Sequence, residues 1–481
     1  MHRHLARFGP LIIAAVIAAA MAGCGSLRPD RALAVAPNLV SHQLCSAVFV
    51  AGLDPDAYYR QALAPDLAMF EPFMRHDVDR ARHEVTATLA GGFQSRAVYR
   101  GAEGCLVVQG PTRQPAAASL QSPAVLPPIA GPRIVTPTDP ALVAALDHEF
   151  AARPLSVTNA VVIVRDGRVI AERYAPGYGV DTPMHGWSMT KSVTNALLGI
   201  LVCEGKISVN DPAPVAAWSD PRDPRHAISI DSLMRMTSGL DFGQSMQQNW
   251  MTAFDPTTQM VFASPDMAAV AERAHAGSRP GAVWRYSNGN TLLLSRIVRD
   301  AVGGDAAAVL RFAHAELFDK LGMSRPTLEF DAVGTPIGAS HMWAPARDWA
   351  RFGMLYLDDG VVGGQRILPP GWVDFSARLT PGSEAFGYGA GFWTNRGDQT
   401  AARLHRPHMP ADSFMARGSL GQYVIVVPSA HLVIVRMGLS RTAFEDIDGV
   451  DRLVGEVLAA QASRSTRLAS SQSPSISARS D

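Results

Sequence analysis

Lysine is scarce in this sequence, and no net charge accumulates. Lys occurs only at Lys191, Lys206 and Lys320, and the 43 Lys and Arg residues together are balanced by 43 Asp and Glu residues. A surface that binds nucleic acid needs a clear excess of positive charge, so the composition argues against a nucleic acid as partner. Because lysines are so few, each one can be considered for a specific role.

Long apolar runs are missing except at the N-terminus. There a short basic segment precedes an apolar run over residues 11–21, which is short for a membrane span and is flanked as in a signal peptide. Residues 21–24 (Met-Ala-Gly-Cys) resemble a bacterial lipobox. The resemblance implies a signal peptide over residues 1–23, a lipid on Cys24 and a tether over residues 24–34. The protein is then expected to be exported and anchored to a membrane, facing the periplasm or the cell exterior. The alternative is an ordinary signal peptide that contains a cysteine.

Cysteine is also rare, with only four in the chain. Export places them in an oxidising compartment, where Cys45 and Cys105 can pair. We favour a disulfide between these two over a pair of buried free thiols. Cys203 has helical spacing from Leu197 and Ile200, and we interpret it as a core residue rather than a nucleophile.

The remaining chain divides into a small unit, a linker, a large unit and a tail. Short apolar runs indicate a small N-terminal unit over residues 35–110. Residues 111–140 are rich in Pro and Ala and have little apolar periodicity, which predicts a linker lying on the surface. The main unit covers residues 141–462. Residues 463–481 are rich in Ser and Arg and are predicted to be disordered.

The main unit has strand patterns at both ends and helical patterns between them. Residues 160–164 and 169–174 predict a hairpin, and residues 422–427 and 432–437 predict two closing strands. We therefore predict an α+β fold with an antiparallel sheet flanked by helices. In this sheet the first and last strands of the unit meet, and helices form an insertion between them.

The main unit carries Ser188 three residues before Lys191, at the predicted start of a helix. This spacing places both side chains on one helix face, and a serine hydroxyl becomes an effective nucleophile only when a base removes its proton. Burial and the positive end of the helix dipole both disfavour an ammonium group, and the helix N-terminus offers N–H groups to an oxyanion. Taken alone, S-x-x-K also fits a capping serine and a solvated lysine.

A second element lies downstream in the run Tyr286-Ser287-Asn288. A phenol beside the lysine can relay the serine proton to a leaving group, and an amide can orient both the lysine and the substrate carbonyl. Without the upstream motif, Tyr286 would be interpreted as an aromatic residue in a turn.

S-x-x-K followed by Y-x-N resembles the serine penicillin-recognising enzymes. This superfamily includes class C β-lactamases, D-alanyl-D-alanine carboxypeptidases, related esterases and 6-aminohexanoate-dimer hydrolases. Residues 205–212, 233–240 and 347–353 resemble the same family, so that the likeness extends roughly from residue 150 to residue 460. The resemblance implies a sheet-and-helix domain beside an all-helical subdomain, with the active site between them. We expect no cofactor.

The third family element is where this sequence departs from the pattern. Family members carry Lys-Thr-Gly or His-x-Gly, whereas the matching stretch here begins with Ser419 and continues to Gly421 and Gln422. Ser419 thus replaces the cation that helps to hold a substrate carboxylate. Arg417 either restores that charge or is a solvated arginine, and both interpretations stay open. The stretch resembles the esterase and 6-aminohexanoate-dimer hydrolase branch, which implies an oxyanion hole made by the backbone N–H groups of Ser188 and Gln422.

We therefore expect a serine hydrolase that forms an acyl-enzyme on Ser188 and cleaves ester or small amide bonds. A β-lactamase or D-alanyl-D-alanine carboxypeptidase is the alternative within the same class, and a non-catalytic binding or sensor protein is the alternative from another class. His405 and His408 have a spacing that metal ligands can have, but no nearby carboxylate or Cys completes a set, so no metal site is expected. The oligomeric state stays open.

Overall fold

The computed structural model describes residues 29–110, 113, 115, 122–243, 253–397, 406–442 and 446–471. The predicted signal peptide and the predicted lipidation site at Cys24 lie outside the described residues.

The N-terminal unit is a helix packed on a four-stranded antiparallel sheet of order β1-β2-β3-β4. Strand β2 alternates between half-buried and buried residues, which is the pattern of a strand with one face on a core. The elements are α1 (Pro29–Cys45), α2 (Pro55–Tyr58), α3 (Ala64–Leu67), β1 (Met74–Asp79), β2 (Glu84–Leu89), β3 (Phe93–Tyr99) and β4 (Cys105–Val107).

Helix α1 begins at Pro29, inside the stretch that the sequence predicts to be a tether. A π-helical turn over Ser46–Val50 extends it. The segment Arg31–Val50 is apolar and long enough to cross a membrane, but 72% of its most apolar window is buried inside the protein. Such burial is typical of a core helix of a folded domain.

A disulfide joins Cys45, at the end of α1, to Cys105, at the start of β4. This is the pairing that the sequence favours. It ties the helix of the N-terminal unit to the last strand of its sheet.

The main unit is built on a six-stranded antiparallel sheet of order β14-β15-β16-β17-β5-β6. Its first strand, β5, pairs with its last, β17, from Ser156 opposite Ser440 to Arg165 opposite Leu432, which confirms that the two ends of the unit meet. The strands are β5 (Ser156–Arg165), β6 (Arg168–Tyr174), β14 (Trp393–Thr394), β15 (Phe414–Gly418), β16 (Gln422–Val427) and β17 (Leu432–Ser440).

Helices cover both faces of this sheet. Val162 of β5 belongs to the hydrophobic cluster that contains Trp349, whereas the adjacent Val161 belongs to the cluster that contains Leu146 and Val450. Successive residues of a strand point to opposite faces, so a strand covered on both faces is apolar throughout. The helices of the main unit are α4 (Pro140–Phe150), α5 (Thr190–Cys203), α6 (Ile230–Met234), α7 (Pro256–Phe262), α8 (Met267–Glu272), α9 (Asn288–Val302), α10 (Ala306–Ala313), α11 (Ala346–Leu357), α12 (Trp372–Ala377) and α13 (Ile447–Ser471).

Short strands complete the main unit beside Ser188. A three-stranded sheet of order β10-β11-β7 lies next to it, and two small hairpins lie elsewhere. The strands are β7 (Met184–His185), β8 (Leu240–Asp241), β9 (His275–Ala276), β10 (Thr327–Leu328), β11 (Met342–Ala344), β12 (Val361–Val362) and β13 (Gln365–Arg366).

Two sequence interpretations need correction. Cys203 is exposed rather than buried, because it is the last residue of α5, where the helix leaves the core. Helix α13 continues to Ser471 and so extends into the stretch over 463–481 that was predicted to be disordered. Its added turns contain Arg, Ala and Leu, which have high helix propensity.

The N-terminal unit is docked directly on the main unit. The Asn38 side chain donates a hydrogen bond to the Phe262 carbonyl, and the Ser46 hydroxyl donates one to Glu329. The described residues 122–139 of the linker lie against the main unit, where the Ile129 carbonyl accepts a hydrogen bond from the Val169 N–H. The N-terminal unit therefore packs directly against the main unit.

Candidate active site

Ser188 lies in a strained turn between β7 and α5. The preceding residue, Trp187, has a φ of +47°, a conformation that non-glycine residues rarely adopt. Gly186 is required by its surroundings, because an added Cβ would lie 2.4 Å from the ring of Trp349. The Thr190 hydroxyl closes the turn with a 2.7 Å hydrogen bond to the Trp187 carbonyl. Strain of this kind persists only where the surroundings hold the backbone in place.

Lys191 is buried, with 3% of its surface exposed, and its Nζ has three polar contacts. These are the Ser188 hydroxyl at 3.2 Å, the Asn288 side-chain carbonyl at 2.6 Å and the Ala339 backbone carbonyl at 2.8 Å. Two of the three partners can only accept hydrogen bonds, whereas a serine hydroxyl can also donate one. A neutral Lys191 therefore satisfies all three contacts if it donates to the two carbonyls and accepts from Ser188.

The environment of Lys191 favours this neutral form. Burial lowers the pKa of Lys191 from its ordinary 10.5 to about 7, because removing an ammonium group from water is unfavourable. No acidic side chain lies within ion-pair distance of Nζ in the described part of the chain. At neutral pH a substantial fraction of Lys191 can thus act as a base toward Ser188.

The Y-x-N element is brought to the same place by α9. Asn288 is the first residue of this helix, and the Ser287 side chain caps it by accepting a hydrogen bond from the Gly289 N–H. The ring of Tyr286 lies 4.9 Å from Lys191 Nζ. Residues nearly a hundred positions apart in sequence thus meet around one lysine.

The edge of β15 lies against the nucleophile turn at Gly418. A Cβ on this glycine would lie 2.1 Å from the Gly186 carbonyl oxygen and 3.1 Å from the Ser188 nitrogen. The glycine that lets a strand approach Ser188 is therefore Gly418, three residues before Gly421. The match of the third family motif to Ser419, Gly421 and Gln422 is out of register with this geometry, because the short β-hairpin contains two glycines with this spacing.

The structure places Gly421 and Gln422 in and after the turn that joins β15 to β16. Gly421 has a φ of +83°, and the Gln422 side chain donates to the carbonyls of Ser419, Leu420 and Gly438. These contacts hold the hairpin turn. Gln422 pairs with Gly418 across the two strands, so β15 separates it from the nucleophile turn.

Arg417 is half-buried and packs over aromatic rings, with its guanidinium carbon 5.3 Å from the ring centre of Trp393 and 5.8 Å from that of Tyr423. This packing favours an ordered guanidinium over a solvated one. Contacts of a cation with aromatic faces orient it without cancelling its charge.

An aromatic group beside Tyr286 was not singled out from the sequence. Tyr286 contacts Tyr388 and Trp393, and Trp284 stacks on Phe386 with ring centres 5.3 Å apart. The aromatic content of residues 386–393 (Phe-Gly-Tyr-Gly-Ala-Gly-Phe-Trp) is the signal that could have indicated them. Ala339, by contrast, acts through its backbone carbonyl and leaves no signal in the sequence.

His408 and His185 make contacts that support the fold. His408 contacts Asp451 at 2.6 Å, and His405 lies outside the described residues. His185 is buried against Trp343 and its Nε2 bonds to the Ser340 carbonyl; burial lowers its pKa to about 3, so it is neutral.

A family model described as Beta-lactamase matches residues 150–455. The chain belongs to the Beta-lactamase family. The match covers more than half of the chain and confirms the family prediction that rested on S-x-x-K and Y-x-N. It excludes the N-terminal unit, and it contains every described residue of the candidate site.

Within this family, the chain is similar to the 6-aminohexanoate-dimer hydrolase of Paenarthrobacter ureafaciens. The two are 27% identical over 239 residues, which is 45% of this chain and 56% of that protein. The chain thus matches little more than half the length of this relative.

Two solved structures show the same fold. A penicillin-binding protein homologue from Caulobacter crescentus has a TM-score of 0.52 and 17% identity, covering 69% of this chain and 100% of that one. EstCE1, described as a hydrolase with promiscuous acyltransferase activity, has a TM-score of 0.50 and 18% identity, covering 66% of this chain and 98% of that one. The predicted α+β fold of the family is confirmed.

Proposed function

We propose that the protein is a serine hydrolase that forms an acyl-enzyme on Ser188 and cleaves ester or small amide bonds. One observation carries the proposal: the Nζ of the buried Lys191 lies 3.2 Å from the Ser188 hydroxyl. It also donates hydrogen bonds to the carbonyl oxygens of Asn288 and Ala339, which can only accept. A capping serine and a solvated lysine would have no need of this arrangement. A binding or sensor protein would not need it either.

The proposed reaction has two steps. Lys191 takes the proton of the Ser188 hydroxyl as Oγ attacks the carbonyl carbon, and the tetrahedral intermediate collapses when the leaving oxygen or nitrogen receives that proton by way of Lys191 and the Tyr286 phenol. Water then attacks the ester on Ser188 and gives a proton to the same base, which passes it to Ser188 Oγ as the bond to the acyl carbon breaks and the carboxylic acid leaves. The oxyanion is stabilised by the Ser188 N–H and by a backbone N–H at the adjacent edge of β15, next to Gly418.

The surroundings of the site favour substrates with an apolar part. Trp284 and Phe386 form an aromatic surface beside Tyr286, and Phe386 is 42% exposed. The similarity to a 6-aminohexanoate-dimer hydrolase supports linear amides beside esters. No lysine occupies the third motif, so we place β-lactams and D-alanyl peptides second as substrates.

Hydrolysis of p-nitrophenyl esters tests the proposal directly. The Ser188→Ala variant should lose at least about 10³-fold in kcat/KM because no other group can accept the acyl chain. The wild type should gain the mass of one fluorophosphonate adduct, and Ser188→Ala should gain none. Ser219→Ala, an exposed serine outside the site, is the matched control.

Undiminished ester turnover or fluorophosphonate labelling in folded Ser188→Ala would sink the proposal. Nitrocefin turnover equal to ester turnover would instead change the substrate order within the class. We also propose, from the lipobox resemblance alone, that Cys24 anchors the protein, and loss of a radiolabelled fatty acid in Cys24→Ser checks this.

A further inference from the structure

Two histidines and a glutamate meet at the boundary between the N-terminal unit and the main unit. His42 comes from α1, Glu329 directly follows β10, and His341 directly precedes β11. One possible ligand atom from each lies within 4.8 Å of the other two. All three side chains are buried, with exposures of 4%, 0% and 1% respectively.

Glu329 has hydrogen-bond partners on only one of its two carboxylate oxygens. Its Oε1 accepts hydrogen bonds from the Ser46 hydroxyl at 2.6 Å and from the Cys105 N–H at 2.9 Å. Its Oε2 has no hydrogen-bond partner, and the only group within ion-pair distance of it among the described residues is the His42 imidazole, with Nε2 at 3.6 Å. A buried carboxylate without a full counter-charge is strongly destabilising, so this arrangement calls for a cation.

The two imidazoles are held in different ways. His42 Nε2 bonds to the Cys105 carbonyl at 3.1 Å and lies 3.6 Å from Glu329 Oε2, whereas its Nδ1 has no partner among the described residues. His341 is held through Nδ1 by the Ser340 hydroxyl at 2.6 Å, which leaves its other nitrogen available. A hydrogen bond on the far ring nitrogen is the usual support of a histidine metal ligand.

A nearby cavity and the backbone at Gly104 both leave room around His42, Glu329 and His341. A small, partly open cavity of about 20 Å³ is lined by His42 and His341 among other residues, and such a volume holds one water molecule. Gly104, with a φ of +66°, lets Glu329 approach the N-terminal unit, because a Cβ there would lie 2.6 Å from Glu329 Cγ. Two nitrogens, one carboxylate oxygen and a water make a four-ligand set.

We propose that His42, Glu329 and His341 form a structural zinc site that fastens the N-terminal unit to the main unit. Two imidazoles with one carboxylate suit Zn²⁺ better than Ca²⁺ or Mg²⁺, which prefer oxygen ligands. Ligands of tetrahedral zinc lie about 3.3–3.4 Å apart, so binding draws the three side chains closer together. The site lies outside the reaction: its position next to Ser340 and Ala339 lets it stabilise the segment whose carbonyl accepts from Lys191.

Metal content and thermal stability of the tag-free full chain test the site. After equilibration with Zn²⁺ and removal of the excess, wild type should hold about one zinc per chain, and its Tm should rise by at least about 3 °C in Zn²⁺ over EDTA. His42→Gln should lose both effects. Co²⁺ in place of Zn²⁺ should give the intense visible absorption of a tetrahedral ion in wild type only.

Glu329→Gln guards against a variant that fails to fold, because an amide oxygen can still accept from Ser46 and Cys105 but brings no negative charge. It should fold and bind at least tenfold less zinc. His148→Gln, which changes an exposed histidine, is the matched control and should behave as wild type. The proposal is overturned if wild type binds less than about a tenth of an equivalent, or if the zinc and the Tm shift persist unchanged in both site variants.

Discussion

In the proposed reaction, Lys191 has to lose a proton while it stays hydrogen-bonded to its neighbours. Its two carbonyl partners, on Asn288 and Ala339, supply this without adding negative charge. A carboxylate in the place of either one would stabilise the ammonium form and remove the base. An amide at position 288 is therefore as important to the proposed chemistry as the lysine itself.

The protonation of Lys191 predicts the pH dependence of hydrolysis. Below its pKa of about 7 the side chain is an ammonium and cannot accept the Ser188 proton, so kcat/KM should rise with pH through about 7 and then level. Asn288→Asp places a carboxylate next to the ammonium, which raises the pKa of the lysine. The midpoint of the profile should then move up by about one pH unit or more, with much lower activity at pH 7.

A control with the same change of charge separates this effect from general electrostatics. Asn210→Asp adds a carboxylate at an exposed position outside the site, and its profile should overlay that of the wild type. The proposed role of Lys191 is wrong if Asn288→Asp is active with an unshifted midpoint, because the lysine would then not be the titrating base.

Much of this residue-scale arrangement was predictable, and the reason is local geometry. The pairing of Ser188 with Lys191 follows from helical spacing, and Tyr286 and Asn288 form a second short motif. The Ala339 carbonyl was not predictable, since any residue could supply it. The β15 contact was placed three residues too late, because only the packed structure distinguishes Gly418 from Gly421.

At the scale of elements, the site depends on the close approach of β15 to the strained turn at Ser188. Between Gly418 and the carbonyl of Gly186 there is no room for a methyl group. Gly418→Ala should therefore push the strand edge away from the turn, lowering kcat/KM by about 100-fold or more and stability by about 1–3 kcal/mol. Ester kinetics and thermal denaturation measure the two effects.

Gly92→Ala is the matched control, since an added Cβ there meets nothing within 4 Å and no positive φ is involved. It should leave both quantities unchanged. Wild-type kinetics in Gly418→Ala would show that the edge of β15 takes no part in the chemistry.

The order of elements was easier to predict than their limits. The opening hairpin and the two closing strands have patterns that follow from burial on both faces, so the meeting of β5 with β17 could be expected. The start of α1 at Pro29 and the end of α13 at Ser471 were missed. Helix ends in segments with few apolar residues depend on propensity and on tertiary neighbours that the pattern does not report.

At the scale of the molecule, the N-terminal unit reaches the active site through shared packing. Its hydrophobic cluster includes Trp343 and Leu420 of the main unit, and Trp187 of the nucleophile turn packs against it. This contact could not be predicted, because the unit lies outside the family match and its partner residues are far along the chain. A change confined to the N-terminal unit should therefore alter the stability of the turn that carries Ser188.

The disulfide provides that change. Cys45 and Cys105 close a loop with a sequence separation of 60, and removing such a cross-link destabilises by about 4 kcal/mol in the chain-entropy account. The double variant Cys45→Ala with Cys105→Ala should lower the Tm by at least about 5 °C. Ester hydrolysis should be lost at a correspondingly lower temperature, because the packing on Trp187 loosens with the unit.

Cys203→Ala is the matched control, since this thiol is exposed and should leave the Tm unchanged. Two measurements on the same samples, thermal denaturation and residual activity after heating, then separate two cases. If both curves move together in the double variant, the N-terminal unit and the catalytic site unfold as one body. If the Tm falls while the inactivation temperature stays at the wild-type value, the nucleophile turn is held by the main unit alone. Packing in the shared cluster around Trp343 and Leu420 would then not stabilise the turn that carries Ser188.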